Sequence, residues 1–488
     1  MKLLDIFKRK KKSIPAQRNY AAANVGRLFA DFVGSERSAD SEMYAAITRI
    51  RNRARDLERN NEYTRRFLTL METNVVGERG FTVQLKATNV DGTMDRGGND
   101  ILEREWKNWS RRCTTDGQFS FLDVQRMCVR QWARDGEVFI RKVKNSSFRD
   151  GFALSFIEPE RIDIEKSEFL KNGNQIRMGV EIDAFKRPVA YWVLTYHPGD
   201  YDFTNTIRAK KHERIPADQI VHLFKPTRAG QTRGESPMAP AINALKMLDG
   251  YRESEIVAAR TAASKMGFFT SPAGDGFNPD DIQNDMLIMD AEPGTFHQLP
   301  NGVDFKTFDP DHPTSAFADF HKAVLRGIAS GLGVSYSSLS GDLEGTSYSS
   351  IRQGALEERD FYRLLQSWMI EHLIEPIFRE WLSFHMEFGK TSNIGIDKFD
   401  KFMNAAHFRG RGFSWVDPKK EIEAAVIGLQ NGLLSMQDVA NNYGRDVEET
   451  FAQISRDKET AAQFGLSTAF EPFGAQKAQV PPEVEGEE

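Results

Sequence analysis

Four carboxylates stand at short spacings in the first half of the chain, namely Asp135, Glu137, Glu158 and Glu160. Clustered carboxylates can hold the divalent metal of a nuclease, because hard cations prefer oxygen ligands. A two-residue spacing between acids is commonplace, however, and it does not by itself indicate a metal site. A metal-dependent DNA-processing enzyme is therefore kept as an alternative, which a loss of metal-dependent nuclease activity in Glu137→Gln would favour.

Two glycine-rich segments have part of the pattern of a nucleotide-binding loop. Residues 331–336 lack the third glycine of a dinucleotide fingerprint and follow a helical pattern instead of a strand. Residues 341–347 space their glycines loosely like a phosphate loop, but Thr346 occupies the position of the required lysine. Nothing would then reach the terminal phosphates, so we predict no nucleotide site.

The other signatures of catalysis are missing from the sequence. The nine histidines form no zinc-protease pair, and neither a Cys-x-x-Cys motif nor a Gly-x-Ser-x-Gly turn is present. His222 lies in an apolar strand and Cys128 on the apolar face of a helix, so both are predicted to be core residues. The sequence predicts no enzyme, no catalytic residues, no metal and no cofactor.

Composition describes a globular chain of several domains. At 488 residues it is too long for one core, so two to four domains are expected. The net charge of -5 argues against a general nucleic-acid binder, whose surface would be basic. With only Cys113 and Cys128, no disulfide framework is expected. No apolar run is long enough to span a membrane, and no membrane partner is predicted.

The first part of the chain predicts an α+β domain over residues 41–225. A helical pattern runs from Ser41 to about Asn74, and the alternating residues 81–85 predict a strand. Ser120 with Asp123 three residues later predicts a capping box. A series of strands follows Gly136, in which residues 183–188 predict a hairpin connection.

The second part predicts long helices around a small module. Helical patterns cover residues 241–266 and 315–331, and the module between them has strand patterns at 267–270 and 296–299. Residues 351–388 predict the longest helix, which Pro376 should kink or split. Short helices separated by glycines follow residue 417. The basic residues 1–40 and the acidic residues 466–488 are expected to be disordered.

The serine- and glycine-rich stretch 331–352 lies between two of these helices. Its composition predicts a flexible loop, because glycine and serine disfavour regular structure. Its only charges before Arg352 are Asp342 and Glu344. We interpret it as either a surface linker or a moving part that faces another molecule.

A set of short segments, taken in order over residues 44–385, resembles the lambda-type portal proteins of tailed phages. The segments are Asn61-Glu-Tyr-Thr-Arg-Arg, Asn74-Val-Val-Gly, Asp135-Gly-Glu-Val-Phe, Glu158-Pro-Glu-Arg-Ile-Asp, Gly179-Val-Glu-Ile-Asp, Arg187-Pro-Val-Ala-Tyr-Trp-Val, His197-Pro-Gly-Asp, Arg214-Ile-Pro-Ala-Asp, His222-Leu-Phe, Gln231-Thr-Arg-Gly-Glu-Ser, Gly331-Leu-Gly-Val-Ser-Tyr, Leu339-Ser-Gly-Asp and Tyr348-Ser-Ser-Ile-Arg. The helical end from Trp415 to Gly444 is also similar, though less distinctive. The resemblance implies an α+β, mainly helical fold that assembles into a dodecameric ring with a central channel.

The family's architecture maps onto this chain as follows. A flexible basic arm is 1–40, the wing is 41–235 with the long kinked helix 348–390, the stem helices are 236–266 and 315–333, the clip is 267–314, the tunnel loop is 334–347, the crown is 391–465, and the disordered acidic tail is 466–488. A clip of this size would be marginal alone and is expected to be completed by neighbouring subunits.

The resemblance also implies sites and partners. The tunnel loop would face double-stranded DNA with Ser340, Gly341, Asp342, Leu343, Glu344, Gly345, Thr346 and Ser347. The stem would line the channel with Lys322 and Arg326. The clip would bind terminase and connector proteins through Asp275, Asp280, Asp281 and Asp285. Expected partners are the large terminase subunit, head-completion and connector proteins, and the major capsid and scaffold proteins. The expected location is the portal vertex of the virion, after assembly in the host cytoplasm. A loop that carries acids and no lysine would repel DNA phosphates and leave the DNA mobile.

Overall fold

A computed structural model describes most of the chain. The described residues are 34, 36–148, 150–200, 211–263, 267–270, 304–307, 317–345, 347–389, 391–413 and 417–466. Several predicted features lie outside these residues. They are most of the arm, the second clip strand at 296–299, nearly all of the acidic tail, and the four clip aspartates Asp275, Asp280, Asp281 and Asp285.

Helices dominate the described chain. They are α1 (Ala39–Asn60), α2 (Glu62–Met71), α3 (Arg96–Ser110), α4 (Phe121–Asp135), α5 (Ile242–Ala263), α6 (Phe317–Leu332), α7 (Tyr336–Ser340), α8 (Tyr348–Met369), α9 (Glu375–Phe388), α10 (Phe399–Asn404), α11 (Pro418–Gln430), α12 (Met436–Asn442) and α13 (Val447–Gln463), with π-helical turns at Glu72–Val76 and Ile370–Ile374. None of the helices in these described ranges is long and apolar enough to cross a membrane.

The strands form four antiparallel sheets among the described residues. The strands are β1 (Thr82–Leu85), β2 (Glu137–Lys144), β3 (Phe152–Ile157), β4 (Glu168–Phe169), β5 (Gln175–Arg177), β6 (Val180–Ile182), β7 (Pro188–Leu194), β8 (His212–Pro216), β9 (Ile220–Phe224), β10 (Gly267–Thr270), β11 (Asp304–Thr307) and β12 (Ala406–Arg409). Their orders are β1-β12, β10-β11, β3-β2-β9 and β4-β5-β6-β7-β8.

The local signals in the α+β part are confirmed. Ser120 accepts from the Asp123 backbone N–H (3.2 Å), and Asp123 Oδ2 accepts from the Ser120 N–H (3.0 Å), which completes the capping box. Gly136 ends α4 with φ of 91°, a conformation that favours glycine. Pro188 is the first residue of β7, where its missing N–H removes no ladder bond.

An aromatic cluster joins α3, α4 and α9 at the centre of the main core. Trp106 packs edge-on against Phe121, Phe378 and Trp381, with ring centroids 5.1–5.2 Å apart. Edge-to-face packing of this kind stabilises a core beyond the area that the rings bury. Cys128 lies fully buried in the same core, as predicted.

A strand pairing crosses the predicted boundary of the helical end. β12 pairs antiparallel with β1, and Phe402 of α10 is completely buried in the main core. The resemblance places residues 399–409 within the crown, and in this structure they pack with the α+β part. Hydrophobic periodicity does not predict the pairing of β1 with β12, because the two strands lie far apart in the sequence.

The predicted break in the longest helix lies just before Pro376. The Glu375 N–H bonds to the Ile370 carbonyl, five residues back, which makes the π-helical turn between α8 and α9. Proline lacks an N–H and its ring crowds the preceding turn, so a wider turn there relieves the conflict. α8 begins at Tyr348, where the resemblance places its start and three residues before the start that the hydrophobic pattern predicts.

The two helices predicted on either side of the small module are formed, and so is the first of its predicted strands. α5 and α6 pack through Tyr251, whose ring lies 5.7 Å from Phe317 and 5.2 Å from Phe320. The strand predicted at 267–270 is β10, and its partner is β11 at residues 304–307.

Candidate functional site

The serine-rich stretch contains helical structure where a flexible loop was predicted. Ser335 caps α7 by accepting from the Ser338 N–H (3.1 Å), and Ser347 caps α8 by accepting from the Ser350 N–H (3.2 Å). Gly341 ends α7 with φ of 74°. The loop prediction was wrong for residues 336–340, because serine disfavours helix interiors but strongly favours the position before a helix.

One lysine of α6 connects the stem to this stretch. Lys322 Nζ lies 3.3 Å from Asp342 Oδ2 and 3.3 Å from Glu344 Oε2. The Tyr336 hydroxyl donates to the same Asp342 oxygen at 2.9 Å, and the Arg326 guanidinium lies 5.3 Å from the Tyr336 ring. The predicted channel residues Lys322 and Arg326 therefore meet the predicted loop acids in one cluster, which we call the loop–stem cluster.

The protonation states of this cluster favour charge pairing. The pKa of Asp342 is lowered first by the Glu344 backbone N–H, then by the Tyr336 hydroxyl and by Lys322. The pKa of Lys322 is raised by its hydrogen bonds to Glu344 and Asp342. Both shifts favour the charged forms of Asp342 and Lys322 and therefore their pairing. The two acids of the predicted loop are thus paired with a lysine of the neighbouring helix α6.

A carboxylate of α8 fixes the beginning of the stretch. Glu358 accepts from the hydroxyls of Ser335 (3.1 Å), Ser338 (2.7 Å) and Tyr362 (2.7 Å). α7 is thereby held against α8. Sequence reasoning missed Glu358, although its position on the half-buried side of a long helix was a possible signal.

The remaining predicted loop residues have open surroundings. Leu343 is 58% exposed, and no atom would contact a Cβ added at Gly341 or Gly345. Ser340 donates to the Tyr336 carbonyl (2.7 Å) and accepts from the Asp342 N–H (3.0 Å). Thr346 lies outside the described residues.

A second cluster lies where the α+β part leads into α5. Glu137 is completely buried and accepts from Arg51 Nη2 (2.7 Å), Arg233 Nη2 (2.6 Å) and the Gly234 N–H (3.0 Å). His222 Nε2 lies 3.2 Å from Glu137 Oε2, the oxygen that accepts from the Gly234 N–H. Burial alone would raise the pKa of Glu137, but Arg233, His222 and Arg51 together lower it well below its ordinary value. His222 is thus a partnered core histidine, as predicted.

These contacts argue against the four carboxylates as a nuclease centre. Asp135 is paired with Arg55 (2.8 Å) and Arg134 (2.8 Å), and Glu137 is enclosed by its own partners. Glu160 is paired with Arg55 (3.0 Å) and Arg51 (3.3 Å). The acids therefore neutralise a set of arginines that links α1, α4 and β2.

A histidine approaches two of these acids, and its protonation matters. His197 Nε2 lies 3.0 Å from Glu158 and 3.9 Å from Glu160, a grouping with the spacing of a metal-ligand set. The Gly199 N–H donates to His197 Nδ1 at 3.0 Å. The ring proton is then on Nε2, facing the carboxylates, so no lone pair is available there for a metal. Glu158 and Glu160 therefore gain no metal-ligand nitrogen from His197 in this arrangement.

Comparisons with known proteins agree with the resemblance of the sequence segments. The family description "Phage portal protein, lambda family" matches residues 25–366. A "Probable portal protein" of Halomonas phage phiHAP-1 is 36% identical over 463 residues, which cover 93% of this chain and 88% of that protein. "Portal protein B" of Escherichia phage lambda is 24% identical over 472 residues, covering 88% of this chain and 87% of the relative.

Solved structures with a similar chain include one from the neck of a native gene transfer agent particle with C12 symmetry. It has a TM-score of 0.45 and 15% sequence identity, and the match covers 91% of this chain and 99% of that chain. A chain of the virion of a native gene transfer agent particle gives a TM-score of 0.42 at 14% identity, covering 91% of this chain and 99% of that chain. On the match to residues 25–366 and the 36% identity over nearly the whole length, this chain belongs to the lambda family of phage portal proteins.

Proposed function

We propose that this protein forms the ring at one vertex of a phage capsid through which double-stranded DNA is packaged and later released. The observation that carries the proposal is the 36% identity to a probable portal protein over 93% of the chain. In this role the protein is a structural channel, and the energy for DNA movement comes from the ATPase of the terminase. The ring would be dodecameric, as the family resemblance implies.

The division of labour follows the same map as the sequence expectations. Residues 41–235 and 348–390 act as the wing, α5 and α6 as the stem, and 267–314 as the clip that receives terminase and then the connector proteins. Within the clip, Asp275, Asp280, Asp281 and Asp285 remain the proposed docking residues. Capsid and scaffold proteins would contact the outside of the ring, which assembles in the host cytoplasm and remains in the virion.

The loop–stem cluster supports a channel role for residues 340–347. Lys322 is held by Asp342 and Glu344 at 3.3 Å each. In a ring every such contact is repeated around the axis, so unpaired lysines would bind DNA phosphates strongly and release many counterions. Pairing the stem lysine with loop acids weakens that attraction and leaves the DNA free to slide.

Electron microscopy and a packaging assay test the proposal. Negatively stained wild-type protein should show rings with a central channel, and a protein that stays monomeric under all assembly conditions would contradict it. Asp342→Lys combined with Glu344→Lys should leave the rings intact but reduce DNA packaging on the order of tenfold, because three lysines would then face the DNA. Glu78→Lys combined with Glu371→Lys changes the charge equally at exposed sites (87% and 73% exposed) and should package normally.

A further inference from the structure

The three C-terminal helices α11, α12 and α13 bury almost none of their apolar side chains. Within the described residues 417–466, Gly428 is the only residue of α11 that is buried, and α12 and α13 have none. Their ends are nonetheless well defined, since Ser435 and Asp438 form a capping box and Asp446 accepts from two N–H groups at the start of α13. Capping fixes where a helix begins, but most helical stability in proteins comes from packing an apolar face. A cover for these helices is therefore expected.

One side of α11 carries an apolar stripe. Ile422, Val426 and Leu429 recur at spacings of four and three residues, which places them on the same side of the helix. Ile422 and Val426 are 44% and 43% exposed. The helix meets α8 on a neighbouring side, where Glu421 lies 3.9 Å from Arg352. We call the three apolar residues the α11 stripe, which the described residues leave largely open to solvent.

A lysine stands at the start of the α11 stripe. Lys419 precedes Ile422 by three residues and therefore lies on the same side of the helix. It is exposed, and within the described residues it has no ion-pair partner, whereas its neighbour Lys420 pairs with Asp417 at 3.2 Å. An apolar stripe that ends in such a cation suits an occupant whose apolar side chains flank a single acid.

The chain itself has a segment of this composition directly after α13. Residues 467–473 contain Phe470 and Phe473, and their only charge is Glu471 between these two aromatic residues. The other glutamates of the tail lie beyond residue 482. A phenylalanine removes a large apolar area from water when it is buried, so this segment gains more from docking than the rest of the tail does.

The end of α13 turns the chain off the helix axis. The Leu466 N–H bonds to the Ala461 carbonyl at 2.9 Å and the Gly465 N–H to the Ala462 carbonyl at 3.1 Å, which are the two bonds of a Schellman motif. Gly465 has a φ of 69°, as this motif requires. Seven extended residues span up to about 25 Å, close to the length of the 17-residue α13, so the segment can return along α13 toward α12 and α11.

We propose that residues 467–473 of the same chain dock on the α11 stripe. The two phenylalanines of the segment cover the stripe, and the Glu471 carboxylate pairs with Lys419. Docking removes apolar surface of both partners from water, and the ion pair fixes the orientation of the segment. The segment thereby stabilises the three C-terminal helices. This inference is separate from the proposed portal function, which requires no occupant of the stripe.

Hydrogen exchange of the full-length protein tests whether the segment covers α11. The variant Phe470→Ser combined with Phe473→Ser removes the apolar contacts, and the control Val480→Ser combined with Val484→Ser removes two apolar side chains from the rest of the same tail. Both variants leave every described residue unchanged. We expect the amides of residues 421–430 to exchange about threefold to tenfold faster in the phenylalanine variant and at the wild-type rate in the valine control. Equal exchange in the two variants would overturn the proposal.

Carbodiimide coupling, which joins a lysine directly to a carboxylate that it contacts, tests the identity of the occupant. In an equal mixture of isotopically labelled and unlabelled protein assembled together, mass spectrometry should find Lys419 joined to Glu471 within one chain. The phenylalanine variant should lose this product. Lys419 joined to a carboxylate of a second chain would show that a neighbouring copy covers the stripe, and no Lys419 product in wild type would exclude the proposed ion pair; either result contradicts docking by the same chain.

Discussion

The guanidinium of Arg233 and the carboxylate of Glu137 are joined by three hydrogen bonds of 2.6–3.1 Å, and neither side chain has any exposed surface. Arg233 also donates to the backbone carbonyls of Pro159, Ile162 and Met178. The segment that leads into α5 is thereby fixed to both larger sheets. Such a contact gives α5 a defined starting direction relative to these sheets.

Glu137→Gln should therefore destabilise the protein strongly. Removing the charge leaves Arg233 buried without a counterion and leaves Arg51 with Glu160 alone, a change that costs about 3–5 kcal/mol. The control Glu213→Gln breaks the exposed pair with Arg141, where Glu213 is 54% exposed, and should cost about 1 kcal/mol or less. Denaturant unfolding monitored by tryptophan fluorescence measures both, and similar midpoints for the two variants would contradict the buried-pair account.

His222 should make the protein sensitive to mild acid. Burial lowers the pKa of His222 below its ordinary value despite the opposing effect of Glu137. Below about pH 6.5 the unfolded chain then binds a proton that the folded chain does not, so stability falls as the pH falls through this range.

The variant His222→Gln removes this titration and keeps a donor for Glu137. Its thermal midpoint should fall less than that of wild type between about pH 7.5 and 5.5. The control His372→Gln changes a histidine that is 49% exposed and should follow the wild-type curve. Parallel curves for all three proteins would show that His222 does not contribute.

Lys322→Gln should release the loop from α6. The variant removes both contacts of 3.3 Å to Asp342 and Glu344. Hydrogen exchange of residues 340–345 should then be faster on the order of two- to fivefold, and high salt should bring wild type toward the variant because exposed ion pairs are screened. Lys322→Arg keeps the charge and should protect the loop from hydrogen exchange nearly as well as wild type does. Unchanged exchange in Lys322→Gln would mean that Tyr336 and Glu358 hold the loop without Lys322.

Local signals allowed much of the framework to be predicted from sequence. The capping box of Ser120 and Asp123 and the strand start at Pro188 each depend on residues within a few positions. Cys128 and His222 were assigned to the core because the period of their elements placed them on an apolar side. In such cases the local preference and the tertiary structure agree.

Other features depended on contacts between distant parts of the chain. β1 and β12 pair across more than three hundred residues, and nothing in either segment identifies its partner. Lys322 was predicted to line a channel, but its pairing with Asp342 depends on how α6 and the loop meet.

Gly412→Ala should loosen the C-terminal helices from the body. A Cβ at Gly412 would lie 2.1 Å from the carbonyl carbon of Tyr443 and 2.4 Å from the Gly444 nitrogen, so two backbones cross where no side chain fits. The Phe413 N–H bonds to the Asn442 carbonyl at 3.1 Å in the same crossing. Displacing it costs roughly 1–3 kcal/mol, as overpacking does elsewhere, and weakens the docking of α12 and α13.

Limited proteolysis measures this loosening. Cleavage within residues 417–466 should be several-fold faster in Gly412→Ala than in wild type, and Asp446→Asn should act in the same direction because it removes the ion pairs with Arg409 and Lys86. Gly354→Ala is the control: it lies in α8 with no atom near its added Cβ and should be neutral or stabilising by up to about 1 kcal/mol. Equal cleavage in Gly412→Ala and Gly354→Ala would show that the helices are held by contacts other than this backbone crossing.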